Sequence, residues 1–168
     1  MIKSKTSMLI KLSYKNSFNI SVAESCTGGL LSSSIIEQSG ASNIFNTGFV
    51  TYSNEAKSNI LNVDKKLIDK YGAVSKETSI AMAKGLYKIS KSNLIVSITG
   101  VAGPNGGTRK NPVGAVYFTF GIKEKEKRIV YVTNKINFDL KNRIQIQKKS
   151  VNYVLNQFIK IIETHKFD

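Results

Sequence analysis

Apolar and polar residues alternate along Phe18-Asn19-Ile20-Ser21-Val22-Ala23 with a period near two, which predicts a strand. Directly after it, Leu30, Leu31, Ile35 and Ile36 recur at helical spacing, so a helix is expected from Gly28 to Gln38, with Gly40 as its stop. Upstream, Ile2, Met8, Leu9 and Leu12 predict a first helix over Met1 to Asn16 that covers the sheet. Downstream, Gly40 to Asn46 is expected as a loop and Thr47 to Tyr52 as a second strand. Ser53-Asn54 then offers an N-cap, Glu55 suits the first turn, and a short helix follows over Ala56 to Val63 with Ile60 and Leu61 apolar.

Ser75 opens a further helix. In it Ile80, Ala83 and Tyr87 line one face while Met82, Leu86 and Ile89 line another, which predicts a well-buried helix. Leu94 to Ile98 is a short β-branched run suited to an interior strand. It runs into Thr99 to Gly107, the richest turn sequence in the chain. Val113 to Ile122 and Ile129 to Phe138 read as a hairpin joined by the charged turn Lys123 to Arg128. Ile144, Gln147, Val151, Val154, Leu155, Phe158, Ile161 and Ile162 mark a long final amphipathic helix. Together these elements predict a three-layer α/β/α sandwich with a mixed, mainly parallel sheet, ending in a β-hairpin and a long C-terminal helix.

Composition changes this picture mainly by exclusion. The 168 residues suit one domain. With one cysteine, Cys26, and one histidine, a disulfide framework and a His/Cys zinc cluster are both ruled out, and no metal or cofactor is expected. Any chemistry falls to Ser, Thr, Lys, Tyr and carboxylates. The net charge of +14 is spread along the chain as scattered lysines. With no recognisable reader motif, dedicated nucleic-acid binding is not expected. No apolar run reaches the roughly 18 residues of a membrane span, and the N-terminal runs are too broken for a signal peptide. Residues 1–22 lack acids, as a transit peptide would, but they also lack arginine; the cytosol is the expected location.

The loops after the three predicted central strands can converge, because ligands of open α/β sheets bind beyond the carboxyl ends of the strands. In the first loop, Ser25 sits on a strand-to-helix corner where backbone N–H groups can hold an anion. It is a candidate nucleophile; the same placement suits a helix N-cap. The second loop leads to Lys57, which as a desolvated amine could act as the base a serine hydroxyl needs, with Tyr52 to orient it or relay a proton. A solvated surface lysine is the alternative. The glycines of the third loop could bring backbone amides close to a phosphate or sugar, or serve only as a tight connection.

Ala-Glu-Ser25-Cys-Thr-Gly-Gly, Gly48-Phe-Val-Thr-Tyr52-Ser-Asn54-Glu-Ala-Lys57, Gly72-Ala-Val-Ser-Lys-Glu, and Thr99-Gly-Val-Ala-Gly-Pro-Asn-Gly-Gly followed by Pro112-Val-Gly resemble the CinA C-terminal domain family, over about residues 6–160. The resemblance implies a PncC-type amidohydrolase that converts nicotinamide mononucleotide to nicotinate mononucleotide and ammonia. On that basis Ser25 attacks the carboxamide carbon, Lys57 is the base and Tyr52 assists it. Amides around Thr27, Gly28 and Gly29 hold the oxyanion. Asn54, Thr99, Gly100, Gly103, Gly106 and Gly107 belong to the nucleotide pocket. Relatives carry Gly-Asp-Arg or a similar element before the last helix; Lys141-Asn142-Arg143 keeps only the arginine, to which phosphate binding is assigned. The family further implies a homo-oligomer. The rival class is a non-catalytic nucleotide-binding or regulatory module linked to competence or DNA damage.

Overall fold

The computed structural model describes residues 2–124, 128–165 and 167. Strand β1 (Ile20–Glu24) lies between β2 (Phe45–Val50) and β3 (Leu94–Gly100), parallel to both. Strand β4 (Ala115–Lys123) runs antiparallel to β3, and β5 (Ile129–Asn137) antiparallel to β4, giving the order β2-β1-β3-β4-β5. Both β1 and β3 are covered on two faces, which is why they read as continuous apolar runs.

The two faces of the sheet have different chemistry. Ile20 and Val22 of β1, Leu94, Val96 and Ile98 of β3, and Val116, Phe118 and Phe120 of β4 pack against α1 (Ile2–Ser13), α2 (Leu30–Ile36) and α6 (Arg143–Thr164). On the opposite face Ala23 and Ile95 meet α3 (Asn54–Leu61), α4 (Lys65–Tyr71) and α5 (Lys76–Ser90) through Leu61, Ile68, Met82, Ala83 and Leu86. That second face also carries a buried row of hydroxyls. Thr119 is in register with Ser97 on one side and Thr133 on the other. Its Oγ1 lies 3.0 Å from Thr133 Oγ1 and 2.7 Å from Ser79 Oγ of α5. Thr119→Val keeps the shape but takes a partner from two hydroxyls, leaving Ser79 Oγ with Ser97 Oγ at 3.2 Å. We expect a loss of about 1–2 kcal/mol, read by denaturant unfolding.

Several boundaries differ from those expected. Helix α2 is shorter than 28–38, because Gly28 and Gly29 adopt positive φ and form a turn instead. The expected loop at 40–46 holds a 3-10 turn at Ala41–Asn43, and β2 starts at Phe45, two residues earlier than read. Helix α4, capped by Asp64 accepting from the Lys66 amide, was not anticipated. Helix α5 is buried on one side only, Ile89 being 50% exposed. Ile144, counted in the apolar face of α6, is also exposed. Residues 125–127 of the charged turn, and Met1 of the first helix, lie outside the described residues. Among those residues no helix is long and apolar enough to cross a membrane.

Candidate active site

Strand β1 ends at Glu24, and Ser25 is the first residue beyond it, held to β3 by its amide donating to the Ile98 carbonyl at 3.0 Å. The chain then reverses through Gly28 (φ 62°) and Gly29 (φ 92°) into α2. Glycine is the residue that takes this left-handed backbone without steric cost. The Ser25 hydroxyl does not cap α2: the capping position is Gly29, and no side chain at that position bonds the helix. The capping role belongs to Glu24, whose carboxylate accepts from the amides of Gly29, Leu31 and Ser32 and from Ser32 Oγ.

Ser53 caps α3, its Oγ accepting from the Ala56 amide at 2.9 Å, so the helix begins directly after the end of β2. Lys57 is one turn in. Helical side chains lean toward the N-terminus of their helix, and this sends the Lys57 amine back to the loop it came from. Its Nζ donates to the carbonyls of Thr51 and Tyr52 at 3.0 Å each, with Ser53 O at 3.5 Å, and lies 3.1 Å from Ser25 Oγ. The residue is 1% exposed, so it is no surface lysine. Desolvation by burial lowers its pKa from 10.5, and Cys26 works weakly in the other direction. A neutral amine whose two N–H groups go to carbonyls has its lone pair left for the third direction, toward the serine hydroxyl. Buried Cys26 has a thiol pushed up to about 12, chiefly by desolvation; it is protonated at neutral pH and offers no thiolate to compete with Ser25.

Ser25 and Lys57 open onto a cavity of about 290 Å³. Thr99, Gly100, Gly103, Gly106, Tyr52 and Arg143 also line it. Five of the expected residues do not. Thr27, Gly28 and Gly29 fall outside its lining, Asn54 starts α3 and lines a separate hollow between α3 and α4, and Gly107 is exposed and outside it. A larger apolar hollow of about 540 Å³ near Ile2, Leu140 and Lys149 brings together none of the candidate groups.

The Tyr52 phenol points to a different partner from the amine. Its hydroxyl accepts from Arg143 Nη2 at 2.8 Å, while Nη1 of the same arginine donates to the Gly103 carbonyl. Tyr52 orients Lys57 through its backbone carbonyl, which accepts from Nζ at 3.0 Å. The oxyanion assignment shifts as well. The Gly28 amide closes the turn onto the Ser25 carbonyl, and the Gly29 amide is taken by Glu24. The amides of Cys26 and Thr27 donate to no other residue among those described.

Sequence reasoning missed three contributors. In the sequence Glu24 stands out only as part of a motif. Gln147, read as one more position on a helix face, donates from Nε2 to the Cys26 carbonyl at 2.9 Å and ties α6 to the nucleophile turn. Asn111 donates to the Val74 carbonyl at 2.7 Å, as Thr99 does to the Ala73 carbonyl at 2.8 Å, so the cavity wall at 73–74 is pinned from two sides. None has a short-range signal, since each acts on a partner at least five residues away.

The CinA C-terminal domain family matches residues 2–162 of the chain. A CinA-like protein of Prochlorococcus marinus is 45% identical over 150 residues, covering 89% of this chain and 35% of the relative. A second, from Pseudothermotoga lettingae, is 50% identical over 110 residues, covering 66% and 27%. The chain spans about a third of the length of the curated relatives it matches. Among solved structures, the competence/damage inducible protein CihA of Agrobacterium tumefaciens superposes with a TM-score of 0.86 at 32% identity, over 95% of this chain and 94% of that one.

Proposed function

We propose that this chain, which belongs to the CinA C-terminal domain family, is an amidohydrolase that releases ammonia from the carboxamide of nicotinamide mononucleotide by a Ser25–Lys57 mechanism. The observation that carries the reading is the buried Lys57 amine, 3.1 Å from Ser25 Oγ. Burying a lysine is costly, and here no carboxylate compensates it among the described residues.

In the proposed sequence Lys57 takes the Ser25 proton as Oγ bonds to the carboxamide carbon. The oxygen of that carbonyl takes up the charge and is held by the Cys26 and Thr27 amides. As the C–N bond breaks, Lys57 returns the proton to nitrogen, and ammonia leaves from an ester on Ser25. Water then adds to the ester carbonyl while Lys57 accepts its proton. Collapse frees the carboxylic acid of nicotinate mononucleotide, which ionises, and the proton returns to Ser25. Arg143 at the cavity mouth is assigned to the 5′-phosphate. Arg143→Ala is expected to raise KM about 10–100-fold, the worth of a charge-assisted hydrogen bond, with a smaller change in kcat; initial rates over a substrate series check this.

The alternative is a non-catalytic nucleotide-binding or regulatory module; the Agrobacterium protein is named competence/damage inducible, which fits a role in such a response. Ammonia release from nicotinamide mononucleotide, measured on wild type and Ser25→Ala, separates the two. Turnover abolished by the substitution supports the hydrolase. Binding without turnover in the wild type would sink it.

A further inference from the structure

We propose that Glu24 is a positioning residue for the Ser25 nucleophile and its oxyanion site, an inference that rests on the hydrolase reading above. Glu24 is fully buried at the end of β1. Oε2 accepts from the amides of Gly29 at 3.2 Å and Leu31 at 3.1 Å; Oε1 accepts from the Ser32 amide at 2.8 Å and Ser32 Oγ at 2.7 Å. The backbone carbonyl of the same residue accepts from the Thr51 amide at 2.8 Å. One residue therefore joins the strand that carries Ser25, the loop whose carbonyl holds Lys57, and the first turn of α2.

A serine cap answers one helix amide from within the turn. A carboxylate reaching over from the strand answers three, together with a hydroxyl, and no cation pairs with it among the described residues. Its charge is balanced by donors aimed at it. Two consequences follow. The Gly28-Gly29 reversal is clamped at both ends, so Ser25 Oγ and the Cys26 and Thr27 amides keep fixed directions. The remaining donors of the α2 start are withdrawn from competition for the reacting oxygen. Gln in place of Glu24 has nearly the same shape but presents an NH₂ where backbone amides donate to both carboxylate oxygens, so at least one amide loses its acceptor.

The test uses a fluorophosphonate, which reads the nucleophile without assuming the natural substrate: Ser25 Oγ bonds to phosphorus, fluoride leaves, Lys57 takes the proton, and the phosphoryl oxygen occupies the oxyanion site. Labelling rates across a pH series are compared for wild type, Glu24→Gln and Ser32→Ala, beside ammonia release from nicotinamide mononucleotide. In Glu24→Gln we expect labelling and kcat to fall about 10–100-fold, less than loss of a whole oxyanion donor. KM should stay within about twofold and the pH midpoint set by Lys57 should not move. Ser32→Ala, which removes one of the four donors and keeps the charge, should show a several-fold loss in the same direction. Unchanged labelling in folded Glu24→Gln, or in Ser32→Ala if the former does not fold, would reduce Glu24 to a structural cap and overturn the proposal. A wild type that is labelled but releases no ammonia overturns the substrate assignment alone and leaves the Glu24 comparison intact. A wild type that is not labelled overturns both.

Discussion

Lys57→Met is expected to reduce turnover of the carboxamide about 10³-fold, the middle of the range for a positioned general base. Ser25→Ala should cost at least as much, because the two groups act as a unit and losing either removes it. The pH dependence follows from the same geometry. Burial lowers the Lys57 pKa from 10.5, and the working form is the neutral amine; activity should therefore rise with pH through that lowered pKa and level off above it. In Lys57→Met this limb should disappear from whatever rate remains. Stability gives an independent check. Between the lowered folded pKa and 10.5 the unfolded chain binds more protons than the folded one, so wild-type stability rises with pH across that window. Lys57→Met has lost the titrating group, and its stability relative to wild type should decline over the same interval. Chemical denaturation at a series of pH values measures the slope; equal slopes in both proteins would mean that Lys57 is not desolvated.

Gly85→Ala should be among the most disruptive single-methyl changes in the protein. In an exposed helix interior the substitution would help, since Ala is favoured over Gly by about 1 kcal/mol. At this crossing of α5 over α3, however, an added Cβ would sit 1.9 Å from the Leu61 carbonyl oxygen and 2.8 Å from its carbon. The obstacle is backbone and cannot rotate away, so α3 must be displaced. Overpacking of this kind costs roughly 3 kcal/mol or more, which outweighs the propensity gain. A net loss near 2 kcal/mol corresponds to a fall in Tm of about 4–8 °C for a chain of this size. Leu61 lies one turn after Lys57 on α3, so the shift also moves the amine relative to Ser25. Activity should drop in protein that is still folded at the assay temperature. A Tm within about 1 °C of wild type would contradict this packing.

Much of the architecture was legible because the sheet imposes simple periods. The alternation in β1, the apolar run of β3 and the long stripe of α6 each reflect burial on a defined face. Helix α4 was missed because seven residues with one buried side chain, Ile68, leave no period to detect. The ends of β2 shifted because an edge strand with a bulge near Phe45 is half exposed and weakly constrained.

At the site, Ser25 and Lys57 could be named from local sequence and resemblance, but their 3.1 Å separation is a product of α3 beginning directly after β2. The contact of the Tyr52 phenol was not legible for the converse reason: Arg143 is 91 positions away, and no local pattern announces the hydrogen bond between them. Asn54 lies in sequence between Tyr52 and Lys57 of the cavity, yet the first turn of α3 rotates it onto a different surface.

Helix α6 supplies Arg143 to the cavity and Gln147 to the nucleophile turn, and the same helix fills much of one face of the sheet. A form from which α6 had come away would leave Ser25 and Lys57 without the arginine and without the glutamine that steadies the turn, and would bare an apolar sheet surface at the same time. Completion of the site and completion of the core are therefore one docking event.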